Sequence, residues 1–430
     1  MQVSKLGWRG WFSVVLFGLF GQIAWVIENM YFNKFLYYEI APNSNAIAWM
    51  VAASAATATL TTMFMGALSD KIGKRKVFIT TGYILWGIVT LSFGFISLDN
   101  IELVIPTAQA ATFGIILIIV MDCIMTFFGS TANDGAFNAW ITDITDKDNR
   151  GPIEGVLATL PLFALLLVFG GFDSLSNGGN WPIFFYVLGG LISLGGIMGL
   201  FLIKESPVVK SDKNYWETFF YGFRPRSFSK HLPLYLTLVT IGVMGISTQI
   251  WNPYFIVYFT EYLGIADYAL LMGAIVLSAS IVTMVATHFM KAHNKNWFFI
   301  PGIILFIGGS LALFFVRTPL LVGVFGFVMM SGNLILSSLL NAKVRDYTPV
   351  DKAGHFQGIR MIFFVLIPMV VGPFIGSQVI ASTGRTYSDL GVIRDVPTPH
   401  VFLAAAIASI VVIAPWIFLL IKEKALKKAS

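Results

Sequence analysis

Amide side chains at helical spacing, with an indole among them, are the residues of this chain best suited to handling a polar solute. Gln22, Asn29 and Asn33 fall within about 40° of one another on a wheel of 100° per residue, and Trp25 lies beside them. An amide donates and accepts hydrogen bonds, while an indole face stacks on C–H groups, so the set suits the hydroxyls and ring face of a sugar. Gln249, Trp251 and Asn252 repeat the theme later in the chain, and Asn133, Asn333 and Ser337 add to it. The competing role for such amides is to hold apolar helices together by hydrogen bonds.

Three carboxylates lie inside apolar runs: Asp122, Glu28 and Asp134. A charge at mid-bilayer costs about 2.5–3.5 kcal/mol on insertion scales, so an acid kept there is a candidate proton carrier. Asp122 ranks first, because it is deepest in its run and shares a face with Thr126, Gly129 and Asn133. Glu28 ranks second. Asp134 is as well placed to hold a neighbouring loop as to serve transport. His288 reads as interfacial, and Lys34 as a side chain that snorkels outward. There is no phosphate-binding glycine loop, no metal-ligand cluster and no nucleophile–base pair. An enzyme, a cofactor and a metal are therefore not expected. The single cysteine, Cys123, excludes an internal disulfide.

The elements that carry these residues are apolar. The 430 residues are 57% hydrophobic and 12% charged, with mean hydropathy +0.79, against about 25% charge in a soluble domain. Twelve runs approach the ~20 residues that a membrane-spanning helix needs. They lie near 11–38, 46–68, 77–97, 110–139, 153–172, 181–203, 232–262, 266–290, 297–315, 319–342, 356–381 and 400–421. The first run has no small-residue cleavage pattern and is expected to stay in the protein. The long polar stretch 204–231 reads as a linker between bundles 1–203 and 232–430.

The two bundles are copies. Asn138–Gly155 and Asn341–Gly358 share seven of 18 aligned positions: Asn138/Asn341, Ala139/Ala342, Asp143/Asp346, Thr145/Thr348, Asp148/Asp351, Gly151/Gly354 and Gly155/Gly358. Chance gives roughly one, at about 6% per position. Asn29, Tyr31 and Phe32 are echoed by Asn252, Tyr254 and Phe255. Of 28 Lys and Arg, 23 fall on the loops that share the N-terminal side. Arg317, Arg385 and Arg394 lie on the other, and Lys34 and Arg360 lie in helices. Both termini and the linker are thus expected in the cytoplasm of a multi-pass cell-membrane protein, and the net charge of +6 is topology rather than nucleic-acid binding.

After the second run stands Gly66-Ala-Leu-Ser-Asp70-Lys71-Ile-Gly73-Lys74-Arg75-Lys76. Gly66 permits close helix approach and Gly73 a tight turn. The string resembles the G-x-x-x-D-[RK]-x-G-[RK]-[RK] signature of the major facilitator superfamily. The resemblance implies an all-α membrane protein of twelve transmembrane helices in two pseudo-symmetric six-helix bundles. It also implies a cytoplasmic gate of Gly66, Asp70, Gly73, Lys74 and Arg75 with Asp143 and Arg150, and with Asp346 in the second copy. The matching loop Lys291-Ala-His293-Asn-Lys295 lacks the Gly and Asp, so the second latch is expected to be degenerate.

The Gly66–Ile79 stretch, the Asn-rich first run and the Gly135…Ala139…Asp143 spacing resemble the glycoside–pentoside–hexuronide:cation symporters and the sucrose–proton symporters. The cation symporters that the chain resembles carry aspartates in the second helix, whereas Ala46–Ser69 offers only Ser54, Thr57, Thr59, Thr61 and Thr62, so the resemblance implies a proton rather than sodium as the coupling ion. The fifth run has only Pro161, and the Gly372-Pro373-Phe-Ile-Gly376 string stands in the eleventh, unlike the drug:proton antiporters. The expectation is a monomeric secondary transporter of a sugar or glycoside by proton symport with alternating access. Export of an amphipathic compound and a transporter-like solute sensor are the alternatives.

Overall fold

The computed structural model describes residues 7–145, 150–205, 223–265, 267–291, 294–348, 353–383, 386–389 and 392–429. Most of the expected linker, 206–222, lies outside the described residues. A chain in lipid must satisfy its backbone hydrogen bonds internally, and helices do so along their own length.

Twelve long helical segments stand among the described residues. They are α1 (Trp8–Phe35), α2 (Ser44–Ile72), α3 (Arg75–Ser92), α4 (Thr107–Gly129, continued through Ser130–Phe137 to Asn138–Ile144), α5 (Arg150–Gly171) and α6 (Trp181–Leu202). Then follow α7 (Leu232–Gln249), α8 (Tyr268–His288), α9 (Phe299–Phe315), α10 (Pro319–Tyr347), α11 (Ala353–Met361, continued through Ile362–Leu366 to Ile367–Ser382) and α12 (His400–Ile410, then Ile413–Ala429). Eleven are long and apolar enough to cross a membrane; α5 contributes the shorter apolar stretch Thr159–Gly171. Between α11 and α12 a hairpin that the sequence did not announce pairs β1 (Thr386–Asp389) with β2 (Val392–Asp395), Thr386 opposite Asp395.

Departures from regular helix have local causes. After α7 the chain turns through the 3-10 segment Asn252–Tyr254, where Pro253 removes a backbone donor. π-Helical turns close the first span of each half at matching places, Leu36–Ile40 after α1 and Tyr258–Tyr262 after α7. The middle of α4, Ser130–Phe137, is also π-helical, a distortion often found at functional positions.

The chain divides into two compact units, residues 1–42 with 56–213 and residues 43–55 with 214–430. Within the first, α1 packs on α5 and α6, and α3 on α4 and α6. Gly87 and Gly189 let α3 and α6 nearly touch, since a Cβ on Gly87 would lie 2.5 Å from the Gly189 carbonyl oxygen. Within the second, α7 packs on α10, α11 and α12, and α9 on α10 and α12. The start of α2 is held in this unit. Ser44 Oγ donates to Asp395 Oδ2 at 3.1 Å, the Ser44 carbonyl accepts from the Tyr254 hydroxyl at 3.2 Å, and Trp49 meets Phe374 edge-on at 5.0 Å.

Candidate functional site

In the second unit α7, α10 and α11 enclose a cavity of about 200 Å³. Helix α7 lines it with Ile241, Met244, Gly245, Thr248 and Gln249, α10 with Asn333, Ser337, Leu340 and Asn341, and α11 with Phe364 and Pro368. The residues from α10 follow its helical spacing, and Gly245 admits Pro368, which a Cβ would meet at 2.7 Å. Thr248 Oγ1 donates to Asn333 Oδ1 at 3.1 Å, which joins α7 to α10 at the cavity wall. Asn341 Nδ2 donates to the Ser337 carbonyl at 2.8 Å. The Gln249 amide and the Ser337 hydroxyl bond to no other described residue, so the wall offers uncharged donors and acceptors beside the Phe364 ring. Gln249, Asn333 and Ser337 were expected at a site, and the fold brings them together. Thr248 and Asn341 were not, although Asn341 opens the second copy of the repeat.

Trp251 and Asn252 do not line this cavity. Trp251 is buried against Phe255 and Phe402 (5.8 and 6.0 Å between ring centroids), and Asn252 begins the 3-10 turn.

In the first unit the amides are largely engaged. Asn29 Nδ2 donates to the Trp25 carbonyl and Asn33 Nδ2 to the Asn29 carbonyl, both at 2.7 Å. The Asn33 Oδ1 is buried with no partner among the described residues. Trp25 packs on Trp86 at 5.2 Å, and Gln22 is half-buried. Asn133 donates to the Tyr83 hydroxyl (2.7 Å), which donates to the Phe17 carbonyl (2.8 Å), tying α4 to α3 and α1. Gly21 makes room for it, because a Cβ there would lie 2.0 Å from Asn133 Nδ2.

The carboxylates separate. Asp122 is buried on α4. Glu28 is buried on α1 and accepts a hydrogen bond from Thr126 on α4 at 2.9 Å. Asp134 is half-buried and accepts from Ser130 Oγ, one turn earlier, at 3.1 Å.

In the loop between α2 and α3, Gly73 has φ +73°, and Gly66 meets Gly135 so closely that a Cβ on Gly135 would lie 3.2 Å from the Gly66 nitrogen. The cation engaged here is Arg75. It is 4% exposed, with Nε on Asp143 Oδ2 at 2.9 Å and Nη1 on Ser69 Oγ at 2.6 Å. Lys74 is exposed. The side chains of Asp70 and Arg150 lie outside the described residues. In the second copy Lys295 pairs with Asp346. That loop has lost the glycine and aspartate of the signature but keeps the cation that meets the duplicated carboxylate.

Two buried lysines were misjudged or missed. Lys34 does not snorkel: it is buried, its Nζ donating to Ser176 Oγ at 2.9 Å and to Asn177. Asp173 collects the Tyr31 hydroxyl (3.0 Å) and Asn177 Nδ2 (2.8 Å) beside it. Lys343, counted from sequence as a loop cation, is buried in α10, which runs on to Tyr347. It pairs with Glu423 of α12, whose carboxylate also accepts from Tyr347 and from Asn296 Nδ2 (2.8 Å). The lysine lies 5.1 Å from the Trp416 ring, and Trp416 stacks on Phe299 at 4.1 Å. A mismatch within the repeat, Trp140 against Lys343, is the signal that marked the second of these.

The fold is shared with solved transporters. The nucleoside transporter NupG superposes with a TM-score of 0.66 at 15% identity, over 98% of this chain and 99% of that one. A bacterial homolog of the human lysosomal transporter Spinster, in an inward-facing and occupied conformation, gives 0.66 at 13% identity over 95% of each chain. Among curated sequences, a multi-drug resistance efflux pump PmrA homolog of Lactococcus lactis is 22% identical over 250 residues. That match takes in 56% of this chain and spans 60% of the relative's length. The sequence profile of the Major Facilitator Superfamily matches residues 10–373 and again 243–430. With two sets of six helices, a duplicated loop and a polar cavity in an apolar bundle, this chain belongs to the Major Facilitator Superfamily, a family of membrane transporters and not of enzymes.

Proposed function

We propose that this transporter carries an uncharged, polyhydroxylated solute, a sugar, glycoside or nucleoside, by proton-coupled symport with alternating access. The observation that carries the reading is the cavity of the second unit. Its polar groups are Thr248, Gln249, Asn333, Ser337 and Asn341, all amides and hydroxyls, with no ionisable side chain in its wall. Neutral donors and acceptors beside an aromatic face recognise hydroxyl-rich solutes and give a charged one no counterion. The structural likeness to NupG, whose name gives it nucleosides, adds that class to the sugars. Coupling falls to a carboxylate in the first unit, with Asp122 first and Glu28 second. A proton needs a group that is neutral in one state and charged in another, and both acids are held away from water. The protein acts as a monomer through bundles 1–203 and 232–430 joined by linker 204–231. Its termini lie in the cytoplasm, on the side where Lys and Arg concentrate.

Proton-driven export of an amphipathic compound is the second reading, favoured by the efflux-pump relative. Counterflow in liposomes separates the two. Purified protein is loaded with an unlabelled panel of sugars and nucleosides, then with lipophilic cations, and uptake of the matching labelled compound is followed. Exchange of a hydroxylated solute is the expected result, and exchange of the lipophilic cations alone favours the exporter.

A further inference from the structure

The end of α12 departs from the end of α6, the sixth helix of the other half, in one respect. Lys204 and Glu205 follow α6, and Lys422 and Glu423 stand at the matching place in α12. In each copy the acid is used inside its own unit. Glu205 Oε1 accepts from the Lys76 backbone nitrogen at 3.4 Å, and Glu423 accepts from Asn296 Nδ2 at 2.8 Å and from Lys343. Beyond this point the two copies part. Helix α6 ends at Leu202, and the chain goes on to Ser206 and Pro207. Helix α12 runs on to Ala429, over a sequence that holds Lys422, Lys424, Lys427 and Lys428.

This end of α12 has two unlike sides. Trp416, Leu419 and Glu423 fall within about 60° on a wheel of 100° per residue and meet the bundle. Trp416 and Leu419 are buried, and Trp416 stacks on Phe299 of α9. Ile417, Ile421 and Lys424 fall within about 60° on the opposite side, and all three are exposed. Glu423, the one acid of the sequence 413–430, is therefore turned inward, while the outer stripe passes from isoleucine to lysine within one turn. Lys422 is exposed as well, and no carboxylate among the described residues forms an ion pair with it or with Lys424.

Trp297 marks the level at which this change occurs. It is 79% exposed and follows Asn296, whose amide bonds to Glu423. Tryptophan concentrates at the boundary between acyl chains and headgroups. Exposed Ile300 and Ile304 carry the apolar surface along α9 from there. An apolar stripe that ends in cations at the depth of an interfacial indole matches a molecule with acyl chains and an anionic head. A soluble anion would use the lysines and gain nothing from the isoleucines.

We propose that the outer face of α12 at Lys422 and Lys424, next to Trp297, holds the headgroup of an anionic phospholipid. The lysines pair with the phosphodiester, and the acyl chains lie on Ile417 and Ile421. Glu423 stays with Lys343, so the headgroup meets no competing carboxylate from this segment. The site is independent of the solute carried.

For the test, full-length protein in a neutral detergent is titrated with dioleoylphosphatidylglycerol or dioleoylphosphatidylcholine, and bound lipid is counted by native mass spectrometry. Phosphatidylglycerol is expected to bind about tenfold or more tightly, since each Lys near an anionic surface contributes roughly fivefold. Lys422→Gln with Lys424→Gln lowers that ratio by about fivefold or more, and Lys422→Arg with Lys424→Arg keeps it. Arg224→Gln with Lys230→Gln, which removes two other exposed cations of the same unit, leaves it as in wild type. Glycerol 1-phosphate, a headgroup without chains, does not displace the lipid. Equal binding of the two lipids by wild type overturns the inference. So does an undiminished preference in the double-glutamine variant when that variant melts like wild type in detergent alone. Displacement by glycerol 1-phosphate at the lipid's own concentration overturns it in favour of a soluble anion, and an equal loss in the Arg224 and Lys230 variant overturns it in favour of net charge.

Discussion

Asn29 and Asn252 share a place in the repeat, yet the structure gives them unequal neighbours. The Asn29 amide nitrogen is taken up by the carbonyl of Trp25, one turn back, which is how an asparagine inside a helix satisfies itself in the absence of water. Gln249, three residues before Asn252, lies in the cavity wall with no described partner. Gln249→Ala is therefore expected to weaken solute binding by about 1–3 kcal/mol, and Asn29→Ala by clearly less. Equilibrium binding to detergent-purified protein checks the order; equal losses would place both amides on the solute. For the buried acids, Asp122→Asn is expected to abolish accumulation driven by a pH gradient and to preserve exchange of labelled for unlabelled solute, because a neutral side chain binds without cycling a proton. Persistent accumulation in that variant would move the coupling to Glu28. Residue types and spacing made this cast visible in the sequence. What stayed hidden was which amide is spent on its own backbone, because that depends on rotamer and neighbours rather than on position in a wheel.

Helices pair here through contacts that neither partner announces. The close approach of Gly66 to Gly135 and the turn at Gly73 were legible from a motif, because glycine is required where a Cβ cannot fit or φ is positive. The ion pair beside them was legible only in part, since Asp143 pairs with Arg75 while the neighbouring Lys74 is exposed. Lys34 and Lys343 were misassigned because their partners, the Asp173–Asn177 turn and Glu423, are 142 or 143 and 80 residues away along the chain. A lysine in an apolar run looks like a snorkelling or loop residue until the acceptor is brought to it. The Glu423 carboxylate holds Lys343, Tyr347 and Asn296 together and so fastens α12 to α10 and to the turn before α9. Glu423→Gln leaves Lys343 buried without its counter-charge and is expected to destabilise the protein by about 3 kcal/mol. Thermal unfolding in detergent reads this as a lowered midpoint, and Lys343→Met with Glu423→Gln as a recovery of part of it. If the single variant unfolds like wild type, the pair does not hold the helices.

At the scale of the whole molecule the fold was legible because lipid leaves the backbone few choices. An apolar run of about 20 residues has to become a helix, and a duplicated run has to become the same helix twice. The ends were less legible. The expected run 319–342 continues as α10 to Tyr347, since buried partners extend it beyond the apolar stretch, and the β1–β2 hairpin has no apolar pattern to betray it. Function was legible to the level of a membrane transporter, because amides and carboxylates in apolar helices are costly and need a reason to stay. The central claim is that the solute binds at the cavity between α7, α10 and α11, and cysteine protection tests it most directly. With Cys123→Ser as background, the reporter Ser337→Cys stands in the cavity wall and the control Ser382→Cys at the exposed end of α11. A hydroxylated solute that exchanges in counterflow is expected to slow maleimide labelling of the Ser337→Cys protein, with half-protection at its transport affinity, and to leave labelling of the Ser382→Cys protein unchanged. Labelling of the Ser337→Cys protein at the same rate with and without saturating solute would contradict the account.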